Sequence, residues 1–176
     1  MLSHEGLTGA EHVATLLANE PMSAVYASTM GRAMQTVAPL ARSLGLPMTT
    51  LADLRERRLS GAPVDDHAAA VAWCWANPEA ALPGGESNHA ARRRGVAAVS
   101  ELAGRHEGEV IVVGTHGNLL ALILQHWLPS VDYAFWSRLT MPDVYTLTLR
   151  DKAPPELARL WDAGNHFVPV SMAQDG

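Results

Sequence analysis

The sequence predicts an α/β domain of three layers, in which helices flank a mostly parallel sheet. Short β-prone runs alternate along the chain with longer runs whose apolar residues recur at helical spacing. This alternation is typical of strands joined by helical crossovers, which pair in parallel. With 176 residues, of which 48% are hydrophobic, the chain is long enough for one domain with a substantial core.

The chain begins with a predicted helix and a predicted strand. Residues 8–19 carry apolar side chains on one helical face, and Thr8 with Glu11 fits a Thr-x-x-Glu capping box. The run SAVYAS, residues 23–28, is short and rich in β-prone residues. We therefore expect a helix over residues 8–19 and a strand over residues 23–28.

A second helix and a second strand follow. Apolar residues recur at helical spacing from Met30 onward, and Gly45 is a typical helix stop. Because Pro39 lies inside this pattern and has no amide proton, we expect it to kink or divide the helix. A short strand is predicted near residues 48–51.

The middle of the chain is predicted to hold a loop and two helices. The polar stretch DLRERRLSGAPVDD, residues 53–66, contains glycine and proline and indicates an extended loop. A short helix is expected over residues 66–77. Ser87 is a suitable cap for a longer helix that runs to about Leu102.

The last third of the chain combines a buried strand with less regular segments. The stretch EVIVVGTHGNLLALIL, residues 109–124, has an apolar β run, a tight turn and an amphipathic helix. A tryptophan-rich segment follows at residues 132–138, and VYTLTLR at residues 144–150 alternates as a strand does. The signal then weakens, so residues 151–176 are expected to form a surface element or a loosely held tail of a single domain spanning residues 1–176.

Charge and composition exclude several classes of partner. Thirteen Lys and Arg against eighteen Asp and Glu give a net charge of −5, which argues against nucleic acid or an anionic membrane as the main partner. Cys74 is a lone cysteine in an apolar run, so neither an intrachain disulfide nor a nucleophilic thiol is expected. The sequence shows no leader, no membrane-spanning run and no histidine pair at metal-ligand spacing, so we expect a cytoplasmic protein without metal or cofactor.

A histidine stands where the apolar strand of residues 109–124 meets its helix. In open parallel sheets, ligands bind beyond the carboxyl ends of the strands, where loops lead into helix N-termini. His116 occupies such a place, and the free N–H groups near Gly117 and Asn118 would favour an anion such as phosphate. The alternative is a structural histidine that only completes a hydrogen-bond network.

A second strand end has the same character. Ser28 ends the predicted strand, and Arg32 follows in the first turns of the next helix. A planar guanidinium can hold a phosphate through two parallel hydrogen bonds, although a solvated helix arginine is the commoner outcome for one residue. The coincidence of two such strand ends favours a phosphate site.

Several stretches together resemble the histidine phosphatase superfamily, which has the phosphoglycerate-mutase-like fold. In STMGRAMQT the pattern Ser-x-x-x-Arg-Ala-x-x-Thr is present, and LRERRLSG resembles the family's Leu-x-Glu loop. The other matching stretches are LTGAEHVATLLA, PGGES followed by VVGTHGN, and MPDVYTLTL. As a set, these motifs are quite specific.

The resemblance implies a role for three residues. Arg32 would bind the phosphoryl group, His116 would stabilise that group during transfer, and Glu56 would act as general acid to the leaving oxygen. Gly117 and Asn118 would complete the phosphate site. A solvated loop glutamate is the alternative for Glu56, and Glu86 is a second candidate acid that more simply braces the pocket.

The resemblance also implies a nucleophilic histidine that the sequence does not show. In the family this residue belongs to an Arg-His-Gly motif that ends the first strand, upstream of the Leu-Thr helix. His4 lacks the arginine and the preceding strand, and His106 precedes its strand and would lie at the opposite edge of the sheet. Three explanations for the absent strand and motif are expected: an N-terminally incomplete enzyme, a non-catalytic relative, or a strand supplied by another chain. We favour the first.

The expected function is therefore hydrolysis of a small phosphate monoester through a phosphohistidine, with the 176-residue chain impaired because that nucleophile is missing. The alternatives are a non-catalytic phospholigand-binding or regulatory relative and a phosphomutase of the phosphoglycerate-mutase type. Loss of a first strand would expose backbone groups on its neighbours, which favours a homo-oligomer.

Overall fold

A parallel three-stranded sheet lies at the centre of the computed structural model, which describes residues 1–161 and 170–171. Its strands are β1 (Met22–Ser28), β2 (Met48–Leu51) and β3 (Val110–Gly114), in the order β2-β1-β3. Both pairings of β1 are parallel. The predicted α/β class with a parallel sheet is therefore confirmed.

Helices cover both faces of this sheet. The side chains of β1 alternate: Val25 and Ala27 pack with residues of the second helix, whereas Tyr26 packs with Leu102 and Leu54 on the other face. Burial on both faces explains the apolar character of β1, whose last four residues are buried, whereas β3 is exposed at Val110 and partly buried from Ile111 to Val113. The helices are α1 (His4–Leu17), α2 (Gly31–Leu44), α3 (His67–Ala76), α4 (Asn88–Arg105), α5 (Gly117–Trp127) and α6 (Tyr133–Ser137), and a 3₁₀ turn spans Ala52–Leu54.

The start of α1 differs from the predicted one. The helix begins at His4 because the hydroxyl of Ser3 accepts a hydrogen bond from Gly6 N–H and caps it. Thr8 lies within the helix, where its hydroxyl donates to the carbonyl of His4. The predicted capping box at Thr8 is therefore wrong.

Pro39 does not divide α2. The helix continues through this buried proline as one element, from Gly31 to Leu44. Gly45 ends it in the left-handed conformation with φ of 65°, as the sequence predicts. The predicted division at Pro39 is wrong because packing of this helix against α1 and the sheet holds it together on both sides of the proline.

A second, antiparallel sheet follows α6. Its strands are β4 (Tyr145–Thr148), β5 (Glu156–Arg159) and β6 (Val170–Ser171), in sequence order. The sequence predicts β4 but not β5, which pairs with β4 over four residues. The predicted loose element of residues 151–176 lies partly outside the described residues, and its described part includes β5.

The helices α4 and α5 approach each other closely at Gly95. A Cβ built on this glycine would lie 2.8 Å from Ile123 Cγ1 and 3.0 Å from Leu119 Cδ1. The same cluster contains Ala91 and Leu122, both almost fully buried. The contact fixes the position of α5, and therefore of the residues at its N-terminus.

The outer edge of β3 pairs with no strand among residues 1–161 and 170–171. Val110 on this strand is 40% exposed, although its side chain is apolar. Within the described part of the chain, no helix combines the length and apolarity needed to cross a membrane.

Candidate active site

The carboxyl ends of β1 and β3 bring the two predicted phosphate-binding side chains together. Ala27 pairs with Gly114 at the end of the shared register, so both chains leave the sheet at the same level. Arg32 then lies in the first turn of α2, and His116 is the N-cap residue of α5. This is the edge at which parallel sheets bind ligands.

His116 is held by two hydrogen bonds. Arg32 donates from Nε to His116 Nδ1 over 3.2 Å, and His116 Nε2 lies 2.8 Å from the hydroxyl of Ser28. Because Nδ1 accepts from a guanidinium, we assign the ring proton to Nε2, which then donates to Ser28. The same hydroxyl accepts from Met30 N–H over 3.2 Å. The imidazole orientation is therefore set by β1 and α2 together.

The environment of His116 favours the neutral ring. Burial, followed by the positive charges of Arg32 and Arg94, lowers the pKa of His116 from 6.5 to about 4. The residue is 7% exposed. At neutral pH the ring is therefore an uncharged hydrogen-bonding group beside a cation.

Glu56 lies at the N-terminus of α5 rather than in solvent. Its carboxylate accepts from Asn118 N–H over 3.1 Å, from Leu119 N–H over 3.0 Å and from Arg57 N–H over 2.8 Å. A carboxylate is stabilised there by free helix N–H groups and by the helix dipole. The loop between β2 and α3 thus delivers the predicted acid to the residues that follow His116.

The two predicted backbone contacts for phosphate differ in their availability. Gly117 N–H has no hydrogen-bond partner within the part of the chain that the structure describes. Asn118 N–H already donates to Glu56, and its side-chain oxygen accepts from Trp75 Nε1 over 3.0 Å. Gly117 N–H is therefore the free helix donor nearest to His116.

Glu86 is fixed by an arginine that sequence reasoning did not assign to the site. Arg94 binds both oxygens of the Glu86 carboxylate, each at 2.8 Å, and also donates to the carbonyl of Asp53 over 2.6 Å. Burial works to raise the pKa of Glu86, but the hydrogen bonds and charge of Arg94 outweigh it and lower that pKa. Glu86 is thus a carboxylate that braces the loop before Glu56, in agreement with its simpler interpretation.

Ser28 and Arg94 are the site residues whose contacts the sequence did not predict. Ser28 is fully buried and holds His116, and Arg94 contributes to the low pKa of that histidine. Glu86 lies before α4, whose N-cap is Ser87, and Arg94 lies within that helix, so no helical spacing in the sequence pairs the two residues. Neither contact could be assigned without knowing how the loops and α4 meet.

The two other histidines considered as nucleophiles make no hydrogen bond with Arg32 or His116. His106 contacts the Tyr26 hydroxyl through Nε2 at 2.8 Å and Glu109 through Nδ1 at 2.6 Å, on the amino side of β3. His4 starts α1 and lines an open pocket of about 360 Å³ with His12 and Pro142. No cluster of three or more potential metal ligands occurs among residues 1–161 and 170–171.

Comparisons with known proteins find similar sequences and a similar fold. Two curated proteins of Arabidopsis thaliana match 99% of the chain: a metal-independent phosphoserine phosphatase, 27% identical with 76% of its length covered, and phosphoglycerate mutase-like protein 4, 29% identical with 80% covered. A mycobacterial glucosyl-3-phosphoglycerate phosphatase, solved with inorganic phosphate, has a similar fold. Its TM-score is 0.72 at 23% identity, over 90% of this chain and 84% of that one.

The family model described as histidine phosphatase superfamily, branch 1, matches residues 1–158. This range contains the strand ends that carry Arg32 and His116, as well as the loop that carries Glu56. The chain belongs to the histidine phosphatase superfamily.

Proposed function

We propose that the site formed by Arg32, His116 and Glu56 serves the hydrolysis of a small phosphate monoester through a phosphohistidine intermediate. The contact between Arg32 Nε and His116 Nδ1 is the observation that carries the proposal. It places a cation and a neutral imidazole at one strand edge, and no described carboxylate forms an ion pair with Arg32. An anionic ligand would provide the counter-charge for both groups.

Arg32 and His116 have complementary roles in this proposal. The guanidinium donates to the phosphoryl oxygens, whose negative charge must be stabilised throughout the transfer. A phosphate dianion beside His116 favours the charged ring, so ligand binding would draw a proton to Nδ1 once Arg32 turns to the ligand. Gly117 N–H supplies a further donor from the backbone.

Glu56 would protonate the leaving oxygen. The amide donors of Asn118 and Leu119 fix its carboxyl group next to the phosphate site. The phosphoryl group would pass to a histidine nitrogen as the ester bond breaks, and water would then release phosphate.

The nucleophilic histidine is the part of this proposal that the described residues do not supply. We therefore propose that the 176-residue chain binds phosphate but turns over little substrate. A phospholigand-binding protein without turnover is the second candidate, favoured because neither His4 nor His106 forms a hydrogen bond with Arg32 or His116 in the described part of the chain. The phosphomutase alternative rests on the name of one relative, phosphoglycerate mutase-like protein 4.

The test combines an assay of an aryl phosphate with a binding titration of inorganic phosphate and vanadate. We expect saturable binding and turnover far below that of a histidine phosphatase that contains the Arg-His-Gly motif. Full turnover that depends on Arg32 would contradict the claim that the chain lacks a nucleophile. It would still support the phosphate site at Arg32. Absence of binding would contradict the site itself.

A further inference from the structure

The indole N–H of Trp75, on α3, is bound to the side chain of Asn118. The two atoms joined are Trp75 Nε1 and Asn118 Oδ1, which lie 3.0 Å apart. Asn118 is the second residue of α5, two positions after His116, and its own N–H donates to the Glu56 carboxylate over 3.1 Å. Trp75 is therefore one hydrogen bond away from a residue of the proposed phosphate site.

The ring of Trp75 is fixed by packing against the neighbouring helices α4 and α5. It lies against two clusters of buried side chains, which include Ala91, Leu119, Leu122 and Ile123 in one and Ala121 and Leu124 in the other. Phenylalanine would make most of the same apolar contacts. Packing therefore accounts for the ring but not for the hydrogen bond to Asn118.

The hydrogen bond determines which end of the Asn118 amide faces Trp75. An indole nitrogen can only donate, so we assign the facing atom as the amide oxygen, because an NH₂ group there would bring two donors together. The NH₂ group is left on the other side, where Nδ2 is buried and has no acceptor within the described part of the chain. Asn118 is only 6% exposed, and an unpaired donor at such a position is costly. The NH₂ group of Asn118 therefore needs an acceptor.

The groups that adjoin Asn118 point to an anion as that acceptor. Glu56 lies at the same helix end, but it accepts from backbone N–H groups and not from Nδ2. Gly117 N–H has no partner among the described residues, and Arg32 forms no ion pair with a described carboxylate. A phosphate oxygen would accept from Nδ2 as from these donors. With the amide turned around, its carbonyl oxygen would face the phosphate and repel it.

We propose that Trp75 is a positioning residue of the phosphate site, which holds the Asn118 amide so that its NH₂ group donates to a phosphoryl oxygen. This inference rests on the proposed function. It extends the site to α3, which lies outside every motif that suggested the family. Trp75 itself does not touch the ligand, and its effect on binding passes through Asn118.

The experiment is a double-mutant cycle on the affinity for inorganic phosphate, measured by isothermal titration calorimetry. The proteins compared are wild type, Trp75→Phe, Asn118→Ala and the double variant. We expect Trp75→Phe to lower the affinity about five-fold, because the amide loses the partner that orients it. In the Asn118→Ala background, the same substitution should change the affinity by less than about two-fold. Trp73→Phe is the matched control and should bind as wild type does, because this exposed side chain of α3 makes no indole hydrogen bond within the described part of the chain.

The outcomes separate this inference from the proposed function. If Trp75→Phe leaves the affinity unchanged while Arg32→Ala lowers it, the phosphate site stands and the role of Trp75 is wrong. Equal losses from Trp75→Phe in both backgrounds would also overturn the inference, because a folding defect does not depend on the Asn118 amide. If the wild-type chain binds no phosphate, the proposed function fails and this inference fails with it.

Discussion

Arg32 and His116 lie 84 residues apart in the sequence, yet the guanidinium Nε of one donates to the imidazole Nδ1 of the other over 3.2 Å. Parallel pairing of β1 with β3 produces this contact, because both residues follow the carboxyl ends of neighbouring strands. Neither group carries a negative charge, so the proposed phosphate would bind the guanidinium more strongly than the neutral ring does.

Removal of the Arg32 guanidinium should weaken phosphate binding. We expect Arg32→Ala to lower the affinity for inorganic phosphate by about 10-fold to 100-fold, which is the loss of one or two charge-assisted hydrogen bonds. Isothermal titration calorimetry measures this change. Arg42→Ala is the control, since Arg42 is an exposed residue of the same helix that pairs with Glu11 at 3.4 Å. Equal losses in both variants would indicate a nonspecific charge effect.

His116 should make stability depend on pH. Its pKa is about 4 in the folded chain and 6.5 in a solvated histidine. Between these values the unfolded state binds the extra proton, so the free energy of unfolding falls as pH falls from 6.5 to 4. We expect this contribution to be about 3 kcal/mol over the window. Urea unfolding of wild type and His116→Gln measures it, and parallel pH profiles for the two proteins would refute it.

Glu56 should contribute to stability as well as to the site. Glu56→Gln exchanges one acceptor oxygen for an NH₂ group that faces the N–H groups of α5, so we expect a loss of about 1–3 kcal/mol in the free energy of unfolding. Glu101→Gln removes an exposed carboxylate that pairs with Arg105 and should cost less than about 0.5 kcal/mol. If Glu56→Gln lowers the free energy of unfolding as little as Glu101→Gln does, the prediction is wrong, because the Glu56 carboxylate would then lie in solvent.

Two glycines of α4 should respond in opposite ways to alanine. Gly95→Ala places a methyl group 2.8 Å from Ile123 Cγ1, and we expect it to destabilise the chain by about 1–3 kcal/mol. A Cβ on Gly104 meets nothing within 4 Å, so Gly104→Ala should stabilise the helix by about 0.5–1 kcal/mol. Thermal unfolding of both variants tests the close contact between α4 and α5, which positions His116.

Strand ends and helix stops were the predictable parts of this structure. The apolar runs of β1 and β3 predict strands of a parallel sheet, and Ser28 and His116 lie at or just beyond the ends of these strands. Gly45 ends α2 because a left-handed residue is needed there. These features depend on residues close in sequence, where local physical rules are strongest.

The remaining features depend on tertiary contacts that the sequence shows only weakly. Ser3 and Thr8 both fit the start of a helix, and only the folded chain selects Ser3. Strand β5 forms through its pairing with β4, not through its own mixed composition. Likewise, the contact of Glu56 with α5 depends on the path of a loop with no periodic pattern.

The most direct test of the phosphate site reads the ring nitrogens of His116 by ¹⁵N NMR at pH 7 during titration with inorganic phosphate. Without phosphate we predict a neutral ring with its proton on Nε2. With phosphate, Nδ1 should gain a proton saturably, and Arg32→Ala should abolish the change. If phosphate binds the chain while both nitrogens of His116 keep their shifts, the site proposed at Arg32 and His116 is contradicted.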